Sequence, residues 1–271
     1  MQRLRTMHLF AGAGGGILSD ILLGHQPVCA VEWNGYCQQV LSARQKDGSL
    51  PWFPIFGDVQ QFDGKPWRGI VDVISGGFPC QDISSAGKGA GIEGTRSGLW
   101  REMARIIGEV RPRFVFMENS PLLVSRGLAV VISDLAALGY DARWMCLSAG
   151  ECGANHERDR LWIVASNADC NSKSDCSVND EAQGMQGVCA GDAAYSNMPQ
   201  REGGRVSSGV HPQYAYPSDA LWWKNKPDIH RVDDGVAARM DRLKAIGNGQ
   251  VPRVAAAAFS ILSNSGEGEQ R

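Results

Sequence analysis

The chain has 271 residues, 43% of them apolar, and a formal net charge of −2. That length supports one large α/β domain, or a core domain with a small appendage, and the near-neutral charge rules out a bulk basic footprint for nucleic acid. Eight cysteines without a CxxC pair or framework spacing argue against a disulfide-stapled secreted scaffold.

The opening "MQRLRTMHLFAGAGGGILSDILLG" imitates a signal peptide, but Asp20 and the glycine run interrupt it. Its uncharged stretch also falls short of the ~20 residues of a spanning helix. A cytoplasmic protein with no membrane partner is expected. Apolar runs at 4–10, 27–33, 70–75, 113–119, 142–149 and 160–166 read as strands, with a further short strand presumed before Asp58. Between them, Leu99, Trp100, Met103, Ile106, Ile107 and Val110 share one helical face after Ser97 as N-cap. A second helix is expected near 124–138, stopped by Gly139, and an Ala-rich one over 252–263. Strand–helix alternation with near-continuous apolar strands predicts an α/β fold with a mostly parallel sheet.

From 167 to 240 that alternation stops, and Asn, Ser, Gly and Asp dominate around isolated aromatics. Residues 167–199 carry five acids and one base, whereas 200–254 carry nine bases and six acids. The later part is therefore the better candidate for touching phosphate. Cys170, Cys176 and Cys189 lack a fourth ligand at zinc spacing, so they read as loop thiols and no metal is expected.

Two ends of the sheet carry chemistry. At the first, "LFAGAGGG" follows a strand and opens a helix, bringing backbone amides towards a ligand. Gly12 and Gly14 fit the start of G-x-G-x-x-G, but Ile17 stands at the third glycine, so this is not the dinucleotide fingerprint. Glu32, twenty residues past Gly12, sits where a carboxylate accepts ribose hydroxyls. Trp33 could stack on a purine, and Asp58 suits an exocyclic amine. Each of these features alone is commonly structural; in this order they point to an adenosine-bearing cofactor with no obligatory pyrophosphate.

At the second end, Cys80 follows "IVDVISGGFP", beyond the carboxyl end of a buried strand, and a glycine-rich run suited to a closing loop comes after it. "MENSP" delivers Glu118 to the same edge, and "HERDR" brings Arg158 and Arg160 two residues apart, on one face if extended. Glu118 as a capping acid or the arginines as surface charges would explain each alone. The three together converge as a thiol, a carboxylic acid and two guanidinium groups.

The ordered series "LFAGAGGG", "VEW", "GDV", "GGFPCQDIS", "ENSP", "HERDR" and "AIGNGQVP" resembles the motifs of DNA (cytosine-5) methyltransferases. The likeness covers residues 6–166 and about 242–262. Ser120-Pro121 and His156 depart from the family's usual Val and Gln but leave the reactive groups intact, while the recognition segment matches nothing alignable.

The resemblance implies a Rossmann-like fold dependent on S-adenosylmethionine, with a small irregular recognition lobe: a catalytic domain over 1–166 plus 241–271, and a target-recognition region over 167–240. It implies attack by Cys80 on carbon 6 of a flipped-out cytosine in duplex DNA, methylation at carbon 5, and S-adenosylhomocysteine as product. Glu118 would contact N3 and the exocyclic amine, Arg160 would hold the base, and Arg158 would orient Glu118 or a nearby phosphate. Phe10, Gly12, Gly14, Glu32, Trp33, Asp58, Val59, Pro79, Leu99 and Asn248 would form the cofactor pocket. Gln81, Ser84, Ser85 and Arg239 would meet DNA, with Arg201, Arg205, Lys224, Lys226 and Arg231 as further phosphate contacts. A monomer is expected. A transfer-RNA methylase or a catalytically silent DNA binder would use the same fold; a nicotinamide oxidoreductase fits less well, given Ile17.

Overall fold

The computed structural model describes residues 3–79, 98–168 and 239–264. Its sheet contains β1 (Arg5–Leu9), β2 (Gln26–Val31), β3 (Ile55–Phe56), β4 (Val73–Gly76), β5 (Phe114–Asn119), β6 (Tyr140–Leu147) and β7 (Arg160–Asn167). Their spatial order is β3-β2-β1-β4-β5-β7-β6. β1 to β5 pair in parallel, and β7 runs antiparallel to both β5 and β6. The mostly parallel α/β sheet read from the sequence is therefore present. The chain moves outward through β1, β2 and β3, then returns to the other side of β1 with β4. That reversal opens a crevice beyond the carboxyl ends of β1 and β4, where open α/β sheets bind ligands.

Packing follows the apolar pattern. All four residues of β4 are buried, as a central strand covered on both faces requires. Helix α3 (Gly98–Val110) buries Trp100, Met103, Ile106, Ile107 and Val110, the stripe expected from spacing, on the face that carries Met7, Leu9, Ile74, Val115 and Met117. Each such fully buried aliphatic side chain contributes about 2 kcal/mol, so packing rather than intrinsic propensity holds this helix. On the opposite face, helix α7 (Pro252–Asn264) sets Val254, Ala255, Ala258 and Phe259 against Phe116, Trp162 and Val164. Helices α1 (Gly15–Leu23) and α2 (Gly35–Lys46) enclose a smaller core of Ile17, Ala30, Leu41, Leu50 and Phe53. Helix α7 packs along α1 as well as on β6 and β7, returning the end of the chain to its beginning.

Several elements differ from expectation, among them the strand expected at 70–75, which is β4 at Val73–Gly76. The helix expected near 124–138 is two pieces, α4 (Leu123–Arg126) and α5 (Leu128–Ala137), because Gly127 takes an extended φ of −178° between them. The strand expected at 142–149 starts at Tyr140, launched directly from Gly139 at φ +80° and held by its hydroxyl donating to the Pro112 carbonyl. It ends at Leu147 because Ser148 and Glu151 close a turn, each side chain accepting from the other's backbone N–H. The remaining helix, α6 (Arg239–Asn248), places "RLKAIGN" in helical form just before α7.

Candidate active site

The glycine turn after β1 is built on left-handed backbone. Phe10 (φ 55°), Gly12 (φ 54°) and Gly14 (φ 95°) turn the chain from strand into α1. Phe10 adopts this without being glycine, at a cost of about 1–2 kcal/mol, so the surrounding packing has to impose it. No heavy atom lies within 4 Å of where a Cβ on Gly12 would stand, which leaves an open approach to the backbone. Gly14 caps α1 without a side-chain acceptor, as expected of a helix start offered to a ligand.

Glu32 is buried at the end of β2 and spans this turn. Its Oε2 accepts from the Gly12 N–H at 2.7 Å, and its Oε1 accepts from the Asn34 N–H at 2.7 Å. Each carboxylate oxygen keeps a further lone pair, so this anchoring leaves capacity for ribose hydroxyls. Trp33, beside it, is 77% exposed. The β2–β3 pairing Val31↔Phe56 brings Gly57 and Asp58 to the same edge. Asp58 accepts from the Gln60 N–H and from Gln61 Nε2, both at 2.9 Å, which fixes its carboxylate on its own turn.

Sequence reading missed the support under that turn. Arg105 on α3 donates to the carbonyls of Val59 (3.0 Å) and Phe62 (3.1 Å) and pairs with Glu102 and Glu109, each at 2.8 Å. Local spacing shows the i+4 partner but cannot show a carbonyl 46 positions away. The glycines also have a second purpose that the motif concealed. A Cβ on Gly15 would stand 2.3 Å from the Gln250 carbonyl oxygen, and one on Gly16 would stand 2.7 Å from Gln250 Oε1. These two positions admit the C-terminal segment rather than a ligand. Among the other cofactor candidates, Val59 is buried, Pro79 is exposed, Leu99 packs partly buried against the α3 core, and Asn248 is exposed at the end of α6.

The second cluster lies on the sheet face under α7. Glu118 pairs with Trp162 across β5 and β7, and Arg160, two residues from Trp162, shares that face. The Arg160 Nε stands 2.6 Å from Glu118 Oε1, and the Glu118 side chain is only 11% exposed. Burial raises the Glu118 carboxyl above its ordinary range, against the opposing pull of Arg160 and then Arg158. The acid form thus persists to higher pH, which suits a group that donates to a ring nitrogen. Glu118, Arg158, Arg160, Trp162, Gln250, Val251 and Val254 line one cleft.

Arg158 departs from the expected extended pair. It precedes β7 in left-handed backbone (φ 52°) and sends Nη2 to the carbonyls of Gly247, at 2.9 Å, and Gly249. The two arginines share a cleft but have different partners.

Cys80, Gln81, Ser84 and Ser85 lie outside the described residues, as do Ser97, the three loop cysteines and the basic residues from 201 to 231; Arg239 opens α6. The segment leading to Cys80 is described up to Pro79. A Cβ on Gly77 would stand 3.0 Å from the Glu118 carbonyl oxygen and 3.1 Å from its Oε2, and Asn119 Nδ2 donates to the Phe78 carbonyl at 3.3 Å. The "GGFP" and "MENS" strand ends are therefore packed together at the sheet's carboxyl edge. Burial pushes the thiols of Cys29 up to about 12 and of Cys37 and Cys152 to about 11, and Cys146 is raised as well. Of the described cysteines, none is a thiolate at neutral pH.

A sequence profile of the C-5 cytosine-specific DNA methylase family matches residues 4–226. The chain belongs to that family. Type II methyltransferase M.CviJI of Paramecium bursaria Chlorella virus IL3A is 37% identical over 163 residues, 59% of this chain and 42% of that protein. Type II methyltransferase M.Eco47II of Escherichia coli is 30% identical over 232 residues, 82% of this chain and 55% of that protein. The chain thus spans about half the length of these relatives. A crystal structure of a DNMT2 mutant from Spodoptera frugiperda superposes with a TM-score of 0.51 at 20% identity, covering 66% of this chain and 54% of that one, a likeness of fold. Among the described residues, no helix is long and apolar enough to cross a membrane.

Proposed function

We propose that the chain transfers a methyl group from S-adenosylmethionine to carbon 5 of a flipped-out cytosine in duplex DNA. The observation that carries this is the buried Glu118, held by Arg160 and packed against the Gly77 backbone that leads directly to Cys80. Family membership supplies the reaction class, and the relatives' Type II names favour DNA as substrate.

Cys80, as thiolate, adds to carbon 6 and raises electron density at carbon 5. Glu118, whose carboxyl burial raises above its ordinary range, contacts N3 and the exocyclic amine and stabilises the ring as negative charge develops. Arg160 holds the Glu118 carboxyl in place and offers its remaining N–H groups to the base. Held at the glycine turn, S-adenosylmethionine would supply the methyl group and leave as S-adenosylhomocysteine. Transfer of the carbon 5 proton to a base then re-forms the 5,6 double bond, breaks the bond from carbon 6 to sulfur and releases the Cys80 thiolate. A base inside the duplex stack cannot be reached this way, which requires extrusion of the cytosine.

The donor set at the first site fits such a cofactor: an open glycine backbone, a buried carboxylate with spare acceptor capacity, an exposed indole and an anchored aspartate. Glu32 would take the ribose hydroxyls, Trp33 the purine face and Asp58 the exocyclic amine, with Phe10, Gly12, Gly14, Val59, Pro79, Leu99 and Asn248 completing the wall. Residues 1–166 and 241–271 would form the catalytic domain, with 167–240 as the target-recognition region. Gln81, Ser84, Ser85 and Arg239 would contact DNA. A cytoplasmic monomer suits this chemistry.

Tritium from methyl-labelled S-adenosylmethionine should enter duplex DNA, and Cys80→Ser should abolish the transfer. Conversion sequencing of DNA from a host expressing the chain would report base and context together. Labelling of transfer RNA with no labelling of DNA would replace the substrate. Binding to DNA without trapping by 5-fluorocytosine would replace catalysis with a silent binder.

A further inference from the structure

Arg158 is the arginine that the base-binding reading accommodates least well. Its backbone lies in the left-handed region, where a side chain is strained, and β7 begins only two residues later. The strain is held from behind, because the Glu157 carbonyl accepts from the backbone N–H groups of both Ala149 (2.7 Å) and Gly150 (3.3 Å). What this conformation achieves is a direction. The guanidinium enters the cleft beside Glu118 and ends on the carbonyls of Gly247 and Gly249, about ninety positions further along the chain.

Those carbonyls flank Asn248, the last residue of α6. In α6, Asp241, Arg242, Lys244, Gly247 and Asn248 are exposed, and Ile246 is 76% exposed. Among the described side chains of this helix, apolar burial therefore does little to fix its end. One residue beyond the clamp, the Gln250 backbone presses on Gly15 at the start of α1. A continuous path then runs from Glu118 and Arg160, through Arg158, to the loop that closes on the glycine turn. Burial and then the neighbouring Arg160 lower the Arg158 guanidinium from its ordinary value, and Glu118 opposes them.

We propose that Arg158 is a positioning residue: it bridges the Gly247 and Gly249 carbonyls and so sets the Asn248 wall of the cofactor pocket from within the reactive cleft. This rests on the function proposed above.

The test uses the full chain, Arg158→Met, and Arg158→Lys, which keeps the charge in a shorter reach. Titration calorimetry with S-adenosylhomocysteine in the absence of DNA should show binding weakened about tenfold in the methionine variant, the loss expected for a charge-assisted hydrogen-bond pair, and less in the lysine variant. In steady state on unmethylated duplex DNA, KM for S-adenosylmethionine should rise while KM for DNA stays put. If the methionine variant does not fold by circular dichroism, the lysine variant decides. Unchanged cofactor affinity in the folded variants, or a loss confined to KM for DNA, overturns the clamp and returns Arg158 to phosphate or base. Failure of the unaltered chain itself to bind S-adenosylhomocysteine overturns the functional reading, and the clamp with it.

Discussion

The two ends of this crevice are built in opposite ways. At the glycine turn, backbone does most of the work: Glu32 and Asp58 are satisfied by N–H and amide groups from their own neighbourhoods, and the ligand-facing surface is open. At the Glu118 cleft, side chains from strands far apart in sequence face one another, and burial sets their chemistry. A turn tuned by local backbone tolerates exposure, as Trp33 shows. A buried acid–guanidinium pair does not, because removing one partner leaves the other's charge uncompensated.

This contrast predicts a ranking. Glu118→Gln should cost the most, lowering the methylation rate about 10³-fold while leaving S-adenosylhomocysteine affinity intact. Equal loss of cofactor binding would mean that the two ends are not separable. Single-turnover transfer and calorimetry distinguish these outcomes.

Next in size is a buried network behind the glycine turn that serves neither ligand directly. Asp20 lies 2.6 Å from His8 Nε2 and 3.6 Å from His25 Nδ1, and all three side chains are buried. Burial disfavours the Asp20 charge, but the two histidines outweigh it and lower its pKa. A depressed carboxylate contributes stability above its unfolded pKa of about 3.9 and loses it as pH falls through the folded value. Asp20→Asn should therefore destabilise by about 3 kcal/mol at neutral pH, with the deficit shrinking towards pH 3 in urea unfolding. A constant deficit would show that packing, not ionisation, holds the cluster.

Gly15→Ala should follow, since its Cβ must displace the Gln250 carbonyl. A loss of about 2 kcal/mol in stability is expected for forced overpacking, together with weaker S-adenosylhomocysteine binding. Gly12→Ala, with open space above it, would lose only backbone ease. The smallest effect belongs to Trp33→Ala: loss of an exposed stacking surface should weaken cofactor affinity by about 1 kcal/mol and leave the unfolding midpoint unmoved. A shifted midpoint would mean that the indole packs on the protein instead.

Much of this was readable one residue at a time. The α3 stripe, the Gly139 stop and the strand-end positions of Glu32, Asp58 and Glu118 follow from periodicities of 3.6 and 2 and from turn chemistry, which are local properties of a chain. The motif order resembles that of the family whose profile matches residues 4–226. The split of α4 from α5 was not readable, because an extended Gly127 is one of many conformations glycine permits.

Partnership between distant segments belongs to the tertiary structure. "HERDR" places two arginines two residues apart in sequence, yet only the fold sends Arg160 to Glu118 and Arg158 to Gly247 and Gly249. "GAGGG" looks like one device, yet Gly12 opens towards a ligand while Gly15 and Gly16 make room for Gln250. Composition and spacing decide which groups a segment can offer. Which of them meet, and how far burial moves an acid such as Glu118, depends on atoms contributed by parts of the chain that local pattern cannot see.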